Sequence, residues 1–239
     1  MKYGAIQVGS WRYALTDRDV LWAGRMVQGE TNARAGRADD ALAVLWTMTQ
    51  LFSPAGQRDK YGRQRFGDFT SLLRAYSQPI NPLWLGDGMF CRPGGRAAGT
   101  EACAADRLAR RARLQQTPWN ELDVELRQVV LDWAAGRTEN PVPGAVEFAA
   151  ESVAASFLAR NPGAVRVARI HNTFVATGGS RGWSVLPVIR VVPPTRAAVM
   201  PAAMLSLAAA GAFLAWLWTR GSPRHHPPGC FTPVSVSSP

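Results

Sequence analysis

Val20-Leu-Trp-Ala-Gly-Arg-Met-Val-Gln-Gly-Glu30 and, after a short polar loop, Asp40-Ala-Leu-Ala-Val-Leu-Trp-Thr-Met-Thr-Gln-Leu-Phe52 are the stretches on which the reading of this chain turns. In the first, Val20, Leu21, Ala23 and Val27 recur near helical spacing, and Asp17 reads as the N-cap. The second is apolar almost all round, as a helix buried on every side must be. Glu30 therefore ends one helix close to the flank of another. An apolar wall there raises a carboxyl pKa, which is what a general acid acting on a glycosidic oxygen needs. By itself the signal is weak, because a glutamate at a helix end is more often solvated.

Outward from these runs the pattern stays helical. Helices are expected over 18–31, 40–52, 68–76, 101–116 and 119–135, with a looser one over 145–160. Pro118 breaks two of them apart. Residues 165–174 and 184–192 hold more β-branched side chains and read as extended. The class this predicts is mainly α, one domain over residues 1–192.

A second boundary falls near residue 193. Ala197 to Thr219 are 23 residues without a charge, bracketed by Arg196 and Arg220, with Trp216 and Trp218 near one end. That length crosses a hydrocarbon core of roughly 30 Å as a helix, so a C-terminal transmembrane helix is expected within 193–220, with membrane contact through 197–219. An Ala-rich helix packed on the domain is the competing reading. The Pro/Ser-rich stretch 221–239 reads as disordered.

The 239 residues are 47% hydrophobic and carry a net charge of +10, which suits a polyanionic neighbour: nucleic acid, anionic lipid or an acidic wall polymer. Three cysteines are too few for a disulfide framework; Cys91 and Cys103 either pair or are free buried thiols. The amino terminus lacks the apolar run of a secretory signal, so ordinary signal-peptide export is not expected.

Four further features bear on chemistry. Phe69 to Trp84 runs from a helix into a loop whose Tyr76, Gln78, Asn81 and Trp84 are of the types that bind sugars, amides to hydroxyls and aromatic faces to pyranose faces. A Pro-stiffened turn capping the core is the plainer reading. Asn140 to Phe148 is a second stiff loop, making Glu147 a secondary carboxylate beside Phe148. Arg107, Arg110, Arg111 and Arg113 form a basic run without interleaved aromatics, a solvated helix face more readily than a nucleic-acid site, so no nucleic-acid partner is expected. No metal-ligand spacing, phosphate loop or nucleophile elbow occurs, so the expectation is carboxylate chemistry with neither metal nor cofactor.

In order along the chain, Leu21 to Glu30, Ala43 to Gln50, Phe69 to Trp84, Leu126 to Phe148 and Ile170-His-Asn-Thr-Phe174 resemble the successive blocks of the cell-wall hydrolases typified by spore cortex-lytic enzymes. The resemblance covers roughly 18–176. It implies a lysozyme-like domain that cleaves the β-1,4 MurNAc–GlcNAc bond of peptidoglycan glycan strands, as a lytic transglycosylase or muramidase, with Glu30 as the catalytic acid. Glu147 stands where that family commonly has His, and Asn140 where it has Asp. A hydrolase needs a second carboxylate, for which Asp68 and Glu147 are the candidates. With the membrane segment, this points to a catalytic domain facing the periplasm or cell wall. Delivery as a virion component for local wall penetration, beside other virion or injection-machine proteins, is one route. The alternative is a non-enzymatic, basic, membrane-anchored structural or nucleic-acid-associated protein on the same scaffold.

Overall fold

Asp17–Glu30 forms α1 and Arg37–Phe52 forms α2. The N-cap of α1 is Thr16 rather than Asp17: Thr16 Oγ1 accepts from Asp19 N at 3.2 Å while Thr16 N donates to Asp19 Oδ2 at 3.0 Å, a reciprocal capping box. Twelve residues of α2 are buried, from Asp40 and Ala41 through the unbroken run Ala43–Phe52, so this helix is the axis of the core. The computed structural model describes residues 2–31, 37–160, 163–170, 172–177 and 188–194, all within one unit, Met1–Thr195.

The chain continues with α3 (Pro54–Tyr61), α4 (Phe69–Tyr76), α5 (Ala105–Gln116), α6 (Val124–Ala134) and α7 (Glu151–Arg160); α3, α4 and α6 pack on α2, and α5 packs on α1. Aromatic rings lock the centre. Phe69 stacks on Trp133 at 5.5 Å and meets Phe52 edge-on at 5.3 Å, and the Trp133 indole N–H donates to Thr49 at 3.2 Å.

The class is mixed α/β, not mainly α. Two three-stranded antiparallel sheets flank the helices, and they overturn the expectation of a lysozyme-like helical domain. The first has the order β2-β1-β6, from β1 (Ala5–Val8), β2 (Trp11–Ala14) and β6 (Ile189–Val192). Gly9, at φ +56°, with Ser10 turns the β1–β2 hairpin, where a Cβ would be strained. The second has the order β3-β5-β4, from β3 (Glu147–Ala150), β4 (Ala164–Arg169) and β5 (Asn172–Thr177). The stretch 145–160 is thus strand followed by helix.

The expected C-terminal membrane helix falls on residues outside those described. Among the described residues no helix is long and apolar enough to cross a membrane, and 197–219 and 221–239 lie outside them.

Candidate functional site

Two parallel helices and one sheet edge build the site. Near the start of α1, Asp19 Oδ1 accepts from Thr70 N at 3.0 Å and Thr70 Oγ1 at 2.8 Å in α4; at its far end, Ser77 Oγ donates to Glu30 Oε1 at 2.7 Å. Helices joined this way at like ends run side by side in one sense, so their C-terminal ends come together. Gly29 makes the approach possible. A Cβ there would fall 2.4 Å from Pro79 Cβ and 2.7 Å from Leu114 Cδ2. The 3-10 turn Gln78–Ile80 therefore lies against the last turn of α1 and carries Ser77 to Glu30.

The Glu30 carboxyl lies deep among protein atoms, although the residue as a whole keeps an intermediate solvent exposure. Burial disfavours its charged form and pushes its pKa up to about 7; the Ser77 hydroxyl opposes this, and the nearby Asp40 charge adds to it. Asp40 is itself buried and occupied: Asn172 N donates to Oδ1 at 2.9 Å and Asn172 Nδ2 to Oδ2 at 2.8 Å, which ties the start of β5 to α2.

Gln50 ties the loop before β3 to α2. Its Nε2 donates to the Val142 and Ala145 carbonyls at 3.0 and 2.8 Å, and its Oε1 accepts from Gly144 N at 2.6 Å. The stiff loop before β3 is therefore pinned to a buried helix by three hydrogen bonds, and Glu147 follows it directly. The Tyr76 hydroxyl donates to Glu147 Oε2, and the Tyr76 ring lies 6.3 Å from that of Phe148. Burial drives the Tyr76 phenol far above its ordinary range, with Tyr61 and Glu30 reinforcing the shift, so it is a neutral donor. Tyr76 and Ser77, consecutive in the chain, thus hand one hydroxyl each to Glu147 and Glu30.

Of the residues expected at the site, Glu30, Tyr76, Glu147 and Phe148 come together. Gln78 is exposed in the turn that follows Ser77. Asn81 belongs to the scaffold: it is 6% exposed, with Nδ2 on the Ala75 carbonyl and Oδ1 on Leu83 N. Trp84 packs edge-on against Phe90 at 5.1 Å beside the Cys91–Cys103 disulfide, with Arg111 donating to its carbonyl at 3.2 Å. Asp68 caps α4, accepting from Ser71 N at 2.8 Å and Ser71 Oγ at 2.7 Å, and so is occupied elsewhere. Ser77, Asp40 and Asn172 were not singled out in the sequence; a hydroxyl just past a helix end carries no signal distinct from an ordinary cap. His171 lies outside the described residues.

Among the described residues no group of three or more His, Cys, Asp or Glu could hold a metal ion. The cluster offers one carboxyl poised to hold a proton near neutrality, a second carboxyl on a neutral phenol, and aromatic rings. That set can protonate a leaving oxygen and stabilise developing positive charge. The chain matches no family model, no curated protein and no solved structure.

Proposed function

We propose that this protein is a peptidoglycan glycosidase that cleaves the β-1,4 MurNAc–GlcNAc bond with Glu30 as general acid. The observation that carries the reading is the state of Glu30: a carboxyl held by Ser77 and raised to about 7 by burial, so that it is protonated below neutrality. Glu30 gives its proton to the glycosidic oxygen as the C1–O bond breaks, leaving an oxocarbenium-like centre. Either the sugar's own C6 hydroxyl then bonds to C1 and returns its proton to Glu30, closing an anhydro ring, or a water adds and loses its proton to a carboxylate. Glu147, accepting from the Tyr76 phenol, is the carboxylate for the second course; Phe148, beside Tyr76, and the exposed Gln78 are the proposed sugar contacts.

Two features support work outside the cytoplasm, at the wall. The Cys91–Cys103 disulfide persists in oxidising compartments. The net charge of +10 favours an anionic polymer. Local wall penetration by a phage or injection particle is the setting this combination fits.

Purified sacculi test the reading directly. Wild-type protein should release muropeptides, and Glu30→Gln should lose on the order of 10² or more in rate while staying folded. Wild-type digestion by the Glu30→Gln protein would refute the assignment. Mass spectrometry of the products separates the two courses: anhydro ends for the internal hydroxyl, an added water for hydrolysis.

A further inference from the structure

Upstream of Glu30 the same two helices bring together a second group. The guanidinium carbon of Arg25 lies 4.6 Å from the centre of the Trp22 ring, and that of Arg74 lies 4.5 Å from it. The two cations therefore stand within about 9 Å of each other. Arg25 is only 9% exposed, and its Nε donates to the Thr117 carbonyl at 2.9 Å. The Arg74 Nε is buried with no hydrogen-bond partner, and neither arginine has a carboxylate within ion-pair distance among the described residues. Other arginines of the domain do have one: Arg37 pairs with Asp123 at 3.0 Å, and Arg137 with Asp132.

An indole face attracts a cation but does not cancel its charge. Two like charges held this close in a partly buried setting are disfavoured unless an anion joins them. Burial and the Arg74 charge both depress the Arg25 pKa, the direction expected where counter-charge is lacking.

We infer that Arg25 and Arg74, converging on Trp22, form a binding site for a phosphate-class oxyanion. Planar guanidinium forks match phosphate oxygens, and a dianion relieves the repulsion between two arginines more fully than a monoanion does. The inference is independent of the chemistry assigned to Glu30, and its test does not depend on wall cleavage.

Calorimetric titration of the full chain with inorganic phosphate, against chloride at matched ionic strength, reads the site. One saturable phosphate per chain is expected, accompanied by a rise in Tm. Arg74→Gln should weaken binding at least tenfold. Arg74→Lys, a point charge without the fork, should fall between the two. Arg113→Gln, which removes an exposed arginine of α5, should leave binding unchanged. Dimethyl phosphate binding as tightly as inorganic phosphate would assign the site to a phosphodiester polymer, and weaker binding to free or terminal phosphate. Absence of saturable binding and of the Tm rise in the wild type overturns the inference, even if Arg74→Gln does not fold. Equal weakening by Arg113→Gln and Arg74→Gln overturns it too.

Discussion

A carboxyl that keeps its proton when folded leaves a thermodynamic mark that can be read without any substrate. Glu30 has its pKa raised from 4.5 to about 7 in the fold. In the unfolded chain it ionises near 4.5, so between these values the unfolded state has released a proton that the native state retains. The native state then binds more protons, and stability falls as pH rises. The contribution is fully present below about 4.5 and lost through about 7. At 1.36 kcal/mol per pKa unit the loss is about 3 kcal/mol. Glu30→Gln removes the titration while Gln Oε1 can still accept from Ser77, so any cost of housing the amide is a constant offset. Urea unfolding at pH 4.5, 6 and 8 for both proteins should show the variant gaining on the wild type by about 3 kcal/mol across the range. Parallel stability curves would refute the burial of Glu30 as described, and with it the reason for regarding this carboxyl as the acid.

Activity should follow the same group, with an alkaline limb falling tenfold per pH unit above about 7, measured by muropeptide release. Gly29→Ala forces a Cβ to within 2.4 Å of Pro79, and should cost about 1–3 kcal/mol by thermal unfolding while lowering activity through displacement of Ser77. Gln50→Ala strands two buried carbonyls and one half-buried N–H, and should cost about 3 kcal/mol; a change under about 1 kcal/mol would mean the loop before β3 is held by other contacts. Tyr76→Phe removes the hydroxyl on Glu147 and should reduce turnover much less than Glu30→Gln does, with product mass unchanged.

Long helices were legible because their signal is local and repeated. The buried run of α2 and the amphipathic run of α1 announce themselves by spacing alone, to within a few residues at each end. Short elements were not. The four-residue strands β1 and β2 went unread although Gly9-Ser10 is a two-residue hairpin turn, and α3 was missed despite Ser53 as N-cap followed by Pro54 at its first position. Strand β6 pairs with β1 across most of the chain, and no local pattern encodes such a partner. At the site the same division holds. Glu30 could be picked out by its place between two readable helices. Asn81 and Trp84 have sugar-binding side chains but spend them on a turn and a disulfide-bonded lobe, which composition cannot distinguish from a site.

The pairing of β1 with β6 sets an order of events during synthesis. The hairpin Ala5–Ala14 leaves the ribosome first, and one edge of β1 must wait for Ile189–Val192 before its backbone is paired. Until then every helix of the domain can have formed while an open strand edge, carrying Ile6 and Val8, stays available to any other extended chain. Folding of this domain should therefore be limited by the arrival of Ile189–Val192 rather than by helix formation, and yield in a heterologous host should respond to expression rate more than to the stability of the finished domain.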